Sequence, residues 1–460
     1  MQKENNEIKR MPMLQKIGYG MGDAGCNFCW TFVASFIMIY CTNILGVSAA
    51  AIGTIMMMSK ILDGITDLFM GRIIDITHSK MGKARFWLFV STFPLSVSTF
   101  VLFNVPAGFT ENTKYIYIFI VYTLMGAFFY TMNNIAYSTL TALVTKNPKD
   151  RVQMATCRYI AAIAATLFMS TYTMKLVERF GGGQQGWRTV SIIYAVLCFA
   201  FLMVPVIAVR ELPEEELRDR QEEEKAEMSK NEEISFLKGF LLLLKNKYFL
   251  MILMMYLVQS LSGGITGGMG IYFAAYQLGD ASLLGKLSMA SLLPMVFMLL
   301  FVPEITSRFG IRTSAMIGGM IGAAAGVLLL IGGLRGSFLL VLAGLVLRSI
   351  GNSPLTGGMN ALIAEVDDYS SLKFGHRMTG SMYSCSSVGI KVGTGIGTAV
   401  CGFLLDASGF DGKASVQTAA ALATINWSYI LGYALQSLIL VIFLYFLNVE
   451  KVNKKLRDRR

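Results

Sequence analysis

Twelve stretches of twenty or more mainly apolar residues recur along the chain, and nothing else constrains its fold so strongly. They cover 17–44, 48–76, 86–105, 114–143, 153–177 and 187–209, then 247–278, 283–303, 312–334, 337–364, 378–404 and 423–448. A helix rises about 1.5 Å per residue, so about 20 apolar residues cross the hydrocarbon core of a bilayer. Several stretches exceed 25 residues, which implies tilt or extension beyond the lipid. Lipid offers no hydrogen bonds to backbone N–H and C=O groups, so spans of this length fold as helices. The pattern predicts an all-α membrane protein of twelve transmembrane helices in two six-helix halves. The expected division is residues 1–210, a linker over 211–246, a second half over 247–448 and a basic tail over 449–460.

Composition supports this reading. Hydrophobic residues make up 54% and charged residues 15%, against about 25% charged in soluble domains. A soluble core would leave large apolar patches exposed. Disorder and coiled coil are excluded on the same grounds. The seven cysteines lie in apolar surroundings with no disulfide or zinc spacing. Cys26 and Cys29 have redox spacing but no βαβ context, and read as packing residues.

The net charge of +11 has two sources. Residues 211–233 hold 11 acidic and 4 basic residues and read as a solvated connector. The basic excess lies between spans on one side: Lys3, Lys9, Arg10 and Lys16; Lys80, Lys83 and Arg85; Lys146, Lys149 and Arg151; Arg308 and Arg312; Lys373 and Arg377; and the tail. Residues 45–47 and 106–113, on the other side, contain no Lys or Arg. Positive charge marks the cytoplasmic face, so both termini are expected in the cytoplasm of a multi-pass cell (inner or plasma) membrane protein. This charge needs no nucleic-acid partner.

Ionisable residues within spans are costly and mark functional sites. Lys60, Asp63 and Asp67 share one face of the second span, with Thr66 between. Two carboxylates four residues apart suit a hard cation or a shared proton, with Thr66 as an added oxygen. A plain salt bridge to Lys60 is the simpler alternative. Asp23 and Asn27 share a face of the first span; Asn133 and Asn134, Arg158, Arg348 and Lys391 lie in later spans. Arg158 and Lys391 need counter-charges, for which Asp23, Asp63 and Asp67 are the candidates. Arg348 is then surplus, and would suit an anion. Such polar groups fit carbohydrate, with Trp30 or Tyr137 available to stack on a ring. The glycine runs Gly18–Gly25 and Gly263–Gly270 sit at matching places in the two halves. They mark either a transporter binding region or close helix packing.

These residues resemble a known family. Tyr19-Gly20-Met21-Gly22-Asp23-Ala24-Gly25-Cys26-Asn27 is similar to the first-helix motif of the glycoside–pentoside–hexuronide:cation symporters of the major facilitator superfamily. Asp63-Gly64-Ile65-Thr66-Asp67 with Gly71-Arg72 and Asp75, Asn134 to Tyr137, and Asp368-Tyr369, Arg377, Gly380 and Lys391 resemble its later motifs, in order. The resemblance implies the major facilitator fold and cation-coupled sugar symport by alternating access. It implies a coupling-cation site at Asp63 and Asp67 with the Thr131 hydroxyl, and a sugar site using Asp23, Asn27, Asn134, Arg158 and Lys391. Thr66 stands where a well-known member carries Asn, so that member's Na⁺ preference is not implied. Cys26 and Ser138 replace its sugar-site Lys and Trp, and Asp23 with Asn27 looks more like the xyloside and glucuronide branches. The coupling ion is left as Na⁺ or H⁺, no cofactor is implied, and the unit of function is expected to be a monomer.

Three rival functions would each leave a different mark on the sequence. An intramembrane enzyme needs a nucleophile–base pair or metal cluster, and the only histidines, His78 and His376, fall in loops. A sensor needs an added signalling domain. A lipid or other small-molecule symporter on the same fold is the remaining alternative.

Overall fold

A computed structural model describes residues 10–213, 243, 245–374, 379–414 and 416–457. Most of the expected linker 211–246 and the motif residue Arg377 lie outside these residues. Among the described residues the regular structure is helical, and twelve helices are long and apolar enough to cross a membrane. The first is α1 (Met13–Ile39), which ends in a π-helical stretch, Tyr40–Leu45. Next come α2 (Ala49–Ile76) and α3 (Lys83–Leu102). The fourth span joins α4 (Glu111–Thr123) to α5 (Thr131–Val144) through a π-helical stretch, Leu124–Tyr130. Then follow α6 (Pro148–Arg179) and α7 (Gly183–Ala208). After the linker come α8 (Lys247–Tyr272), continued by a π-helical stretch Phe273–Gln277, and α9 (Leu284–Leu299). The short α10 (Val302–Phe309) leads to α11 (Ile311–Leu334) and α12 (Phe338–Phe374). The chain closes with α13 (Thr379–Ala407), α14 (Ala419–Phe446) and the short α15 (Val449–Arg457). Thr110, Asn147, Asn246 and Thr418 cap their helices by accepting from backbone N–H groups of the first turn.

Contacts divide the chain into two compact units, one within Met1–Tyr40 and Leu62–Glu224, the other within Cys41–Ile61 and Lys225–Arg460. The continuous helix α2 therefore passes from one unit to the other between Ile61 and Leu62.

In the first unit, α1 packs closely on α6 and α7. Its glycines make that approach possible. A Cβ on Gly20 would lie 2.7 Å from the Cys157 carbonyl carbon of α6, and one on Gly25 would lie 2.7 Å from Leu202 Cγ of α7. Close packing through small residues is how helices associate in lipid. The buried cluster around these helices holds Tyr19, Met70, Leu88, Tyr137 and Leu140.

Two charged groups expected near solvent are instead anchored in this unit. Lys16 donates to Asp150 Oδ1 and Gln153 Oε1, each at 2.6 Å, and the two charged side chains are only 6% and 3% exposed. Sequence position beside Arg10 suggested a loop charge; packing of α1 on α6 buries it. Glu211 accepts from the backbone N–H groups of Lys83, Ala84 and Arg85 at 3.0, 2.9 and 2.7 Å. Its carboxylate thus caps the amino end of α3, where helical N–H groups lack partners and the dipole favours negative charge. Arg85 completes the junction by donating to the Val206 and Met81 carbonyls. Glu211→Ala is expected to cost about 0.5–2 kcal/mol, the range for losing a helix cap. A lower melting temperature in detergent, with Glu211→Asp intermediate, checks this.

In the second unit the amino-terminal part of α2 lies flush against α13. A Cβ on Gly402 would be 2.2 Å from the Ala49 carbonyl oxygen, and one on Gly53 would be 3.0 Å from Ala399. Thr42 Oγ1 pairs with the Tyr272 hydroxyl at 2.9 Å, Asn43 donates to the Tyr276 hydroxyl at 2.6 Å, and Ser48 donates to Asp406 at 3.2 Å. The glycine run of α8 has two faces. Gly264 and Gly268 abut α13 at Thr394 and Cys401, whereas a Cβ on Gly263 or Gly267 would meet open space.

Candidate functional site

The first unit gathers most of the sequence-predicted residues into two clusters. The first cluster centres on Arg158 of α6. Its Nε donates to Asp23 Oδ2 of α1 at 2.7 Å, and its Nη2 lies 3.4 Å from Oδ1. The Arg158 side chain is 21% exposed and that of Asp23 17%, so the pair is screened from bulk solvent without being sealed. The guanidinium carbon lies 4.3 Å over the Tyr137 ring centroid, and Nη1 is 3.4 Å from the Tyr19 hydroxyl. Tyr19 donates to the Tyr137 carbonyl at 2.7 Å, and the Tyr137 hydroxyl donates back to the Tyr19 carbonyl. This reciprocal bond ties α1 to α5 and fixes the floor on which Arg158 rests. One turn along α1, the Asn27 amide donates to the Asp23 carbonyl at 2.7 Å and accepts from Thr31 at 2.8 Å and Thr166 at 3.2 Å.

The second cluster centres on Asp63 of α2, which is 4% exposed. Thr131 Oγ1 donates to Asp63 Oδ1 at 2.7 Å. Thr131 is the first residue of α5, directly after the π-helical stretch Leu124–Tyr130. A wide turn of that kind resets the helical register, and such turns recur at functional sites. Thr66 donates to backbone carbonyls of its own helix, those of Asp63 at 3.1 Å and Leu62 at 3.2 Å, leaving only its oxygen lone pairs for a ligand. Asp67, one turn beyond Asp63, is half-buried. Carboxylate and hydroxyl oxygens are the donors that hard cations take, and a buried carboxylate is also a proton site.

With this geometry in place, the comparisons with known proteins become decisive. A family model described as MFS/sugar transport protein matches residues 18–451. The chain belongs to that family. The expected membership of the glycoside–pentoside–hexuronide:cation symporters within the major facilitator superfamily therefore stands. The chain is similar to an isoprimeverose transporter of Lactiplantibacillus pentosus, at 28% identity over 97% of this chain and 91% of the relative. It is also similar to a putative glycoside/cation symporter, YagG, of Escherichia coli (strain K12), at 26% identity over 91% of this chain and 88% of the relative. A crystal structure of a D-xylose-proton symporter shares the fold, with a TM-score of 0.64 at 14% identity, over 93% of this chain and 96% of that one. The chain is an all-α, twelve-span major facilitator transporter and not an enzyme.

Not every candidate joins the two clusters. Asn134 is half-buried on α5 and bonds no described side chain. Its neighbour Asn133 is the buried one, donating to Ser91 at 3.0 Å and facing Cys26 Sγ at 3.5 Å. Lys391 lies half-buried on α13 in the second unit. Tyr137, a stacking candidate, is fully buried with Arg158 over one face. Trp30 is half-buried, its ring 4.9 Å from that of Tyr130. Tyr19 opens the first-helix motif without a site role in the sequence reading, yet it sits four residues before Asp23 on the same helical face, a spacing that signals a shared site.

Proposed function

We propose that this symporter carries a glycoside, pentoside or hexuronide into the cell together with Na⁺ or H⁺, by alternating access of two six-helix halves. The halves are assigned to 1–210 and 247–448, joined by a linker over 211–246 and followed by the basic tail 449–460. Asp63 and Asp67, with the Thr131 and Thr66 oxygens, are assigned to the coupling cation. Asp23, Asn27, Asn134, Arg158 and Lys391 are assigned to the sugar. The observation that supports the reading is a carboxylate, Asp63, nearly sealed from solvent within a span and accepting the Thr131 hydroxyl at 2.7 Å. Holding a charged carboxylate within a span is costly. Binding a cation neutralises it and lowers the cost of closing the site, which gives coupling a physical basis.

The sugar assignment rests on chemistry of the same kind. A carboxylate, a guanidinium and primary amides together accept from and donate to the hydroxyls of a pyranose ring. The relatives' names, an isoprimeverose transporter and a putative glycoside/cation symporter, support a sugar cargo. The basic loops support a cell membrane location with both termini in the cytoplasm, and a monomer suffices for the mechanism.

Uptake by proteoliposomes at fixed pH, with and without an inward Na⁺ gradient, tests the ion. Stimulation by Na⁺ alone assigns Na⁺; stimulation by an inward proton gradient in Na⁺-free buffer assigns H⁺. Sugar uptake that responds to neither gradient overturns the symport reading.

A further inference from the structure

The short helix α15 has two faces that differ in charge. Val449, Val452, Asn453 and Leu456 recur at spacings of three and four, so they share one face. That face is docked. Val449 belongs to the buried cluster of the second unit, with Tyr248, Leu362, Val366 and Leu444, and Val452 and Leu456 pack against it. Asn453 donates to the Glu365 carbonyl of α12 at 2.8 Å and to Glu365 Oε2 at 3.0 Å. Glu450, the one acid of α15, also turns to the protein. Its Oε1 accepts from the Arg312 backbone N–H at 3.4 Å, where the amino end of α11 favours negative charge.

Lys451, Lys454 and Lys455 fall on the opposite side of α15 and are exposed. Among the described residues they make no hydrogen bond and no ion pair. Arginines elsewhere in this unit are matched. Arg308 pairs with Glu304 at 2.6 Å, and Arg312 donates to the Leu444 and Tyr445 carbonyls. Arg348 donates to Gln436 at 2.7 Å and lies 4.0 Å over the Tyr433 ring centroid. The three lysines thus form a single patch of unmatched charge on a helix already fixed in place.

Position selects the partner. Only Leu447 and Asn448 separate α14 from α15. Two residues reach at most about 7 Å, and the headgroup layer on one side of a bilayer is about 5–8 Å deep. Tyr445 and Phe446, 65% and 58% exposed, end α14, and aromatic rings at span ends mark the membrane interface. The lysines therefore stand at headgroup depth, where their long stems let the ammonium groups reach phosphate. Basic side chains beside a span gain about fivefold each in binding constant at an anionic lipid surface. Because α15 is docked beforehand, lipid need not order it.

We propose that the lysine face of α15 binds anionic phospholipid headgroups of the leaflet on its side of the membrane, which makes the basic tail a lipid-binding element as well as a topology signal. This surface lies wholly within the second unit and is independent of cargo and coupling ion.

The test uses the full chain in detergent, titrated with phosphatidylglycerol or with phosphatidylcholine of the same acyl chains. Native mass spectrometry reads the affinity of the bound lipid, and melting temperature reads folding. Wild-type protein is expected to bind phosphatidylglycerol at least about tenfold more tightly. The triple variant Lys451→Gln, Lys454→Gln and Lys455→Gln is expected to bring that preference within about threefold. Replacing the same three lysines by Arg, which keeps the charge, is expected to preserve it. Lys454→Gln alone is expected to lower the preference at least about twofold, and it serves if the triple variant melts early. A control removes equal charge from exposed sites of the first unit, Lys80→Gln, Lys146→Gln and Lys149→Gln, and is expected to stay near wild type. Wild-type protein without a preference overturns the proposal. So does a control that loses as much as the tail variant. A tail variant that keeps the preference also overturns it, and leaves the lysine face to an acidic soluble partner.

Discussion

Asp63→Asn is expected to abolish uphill sugar accumulation while leaving the protein folded. Moving one charge through a potential of about 100 mV supplies about 2.3 kcal/mol, which supports a sugar gradient of about 50-fold. The Asn variant keeps the shape of the side chain and an oxygen that still accepts from Thr131. It loses the charge that attracts the cation. Accumulation should therefore fall from tens-fold to parity across the membrane, while energy-independent exchange of labelled for unlabelled sugar continues. Thr131→Ala, which removes only the hydroxyl, should weaken coupling by a smaller factor, since a hydrogen bond to a charged group contributes about 1.5–3 kcal/mol. Accumulation by Asp63→Asn at the wild-type level would sink the cation assignment.

The position of Asp63 within the chain gives this expectation mechanical content. Helix α2 is unbroken from Ala49 to Ile76, yet its contacts change unit between Ile61 and Leu62, two residues before Asp63. Its amino-terminal part is held by glycine-mediated contact with α13, and its later part presents Asp63 to Thr131. A cation held at Asp63, as proposed, would act on a helix whose residues are divided between the two units. A ligand shifts a conformational equilibrium only through different affinities for its two states, and an element shared between two packing environments is where such a difference arises.

The spans were legible because hydropathy over about 20 residues reports the bilayer directly. The membrane charges were legible for the same reason: each is an exception to a strong rule, and exceptions need partners. That inventory left Asp23, Asp63 and Asp67 open as partners for Arg158, and the structure pairs it with Asp23. Other features depend on packing and escaped it. Lys16 reads as a loop charge until α6 brings Asp150 within 2.6 Å. Glu211 reads as one acid among 11 until it meets the start of α3. The π-helical stretch before Thr131 leaves no compositional mark, since Leu124–Tyr130 is ordinary apolar sequence. The glycine runs signalled close approach correctly, but only structure separates Gly264, which abuts Thr394, from Gly263, which meets nothing within 4 Å.

The Asp23–Arg158 pair gives the second large effect, and it separates binding from architecture. Removing one partner of a buried ion pair strands the other and costs about 3–5 kcal/mol in sealed sites. Here the side chains are 17% and 21% exposed, so water screens part of the loss. About 1–3 kcal/mol is the expected penalty for Asp23→Asn or for Arg158→Gln, read as a lower melting temperature. The double variant Asp23→Asn with Arg158→Gln leaves no stranded charge, and should recover most of that melting temperature. Sugar uptake should stay lost in all three, because a neutral pair no longer offers a carboxylate and a guanidinium to sugar hydroxyls. A double variant that regained both stability and uptake would assign the pair to structure alone. A double variant that regained neither would mean that Arg158 acts mainly by spanning Tyr19 and Tyr137, which its aromatic contacts at 5.9 and 4.3 Å make the next element to test. Recovery of stability without uptake is the outcome that a binding role requires, because only then is the charge of the pair dispensable for folding and indispensable for transport.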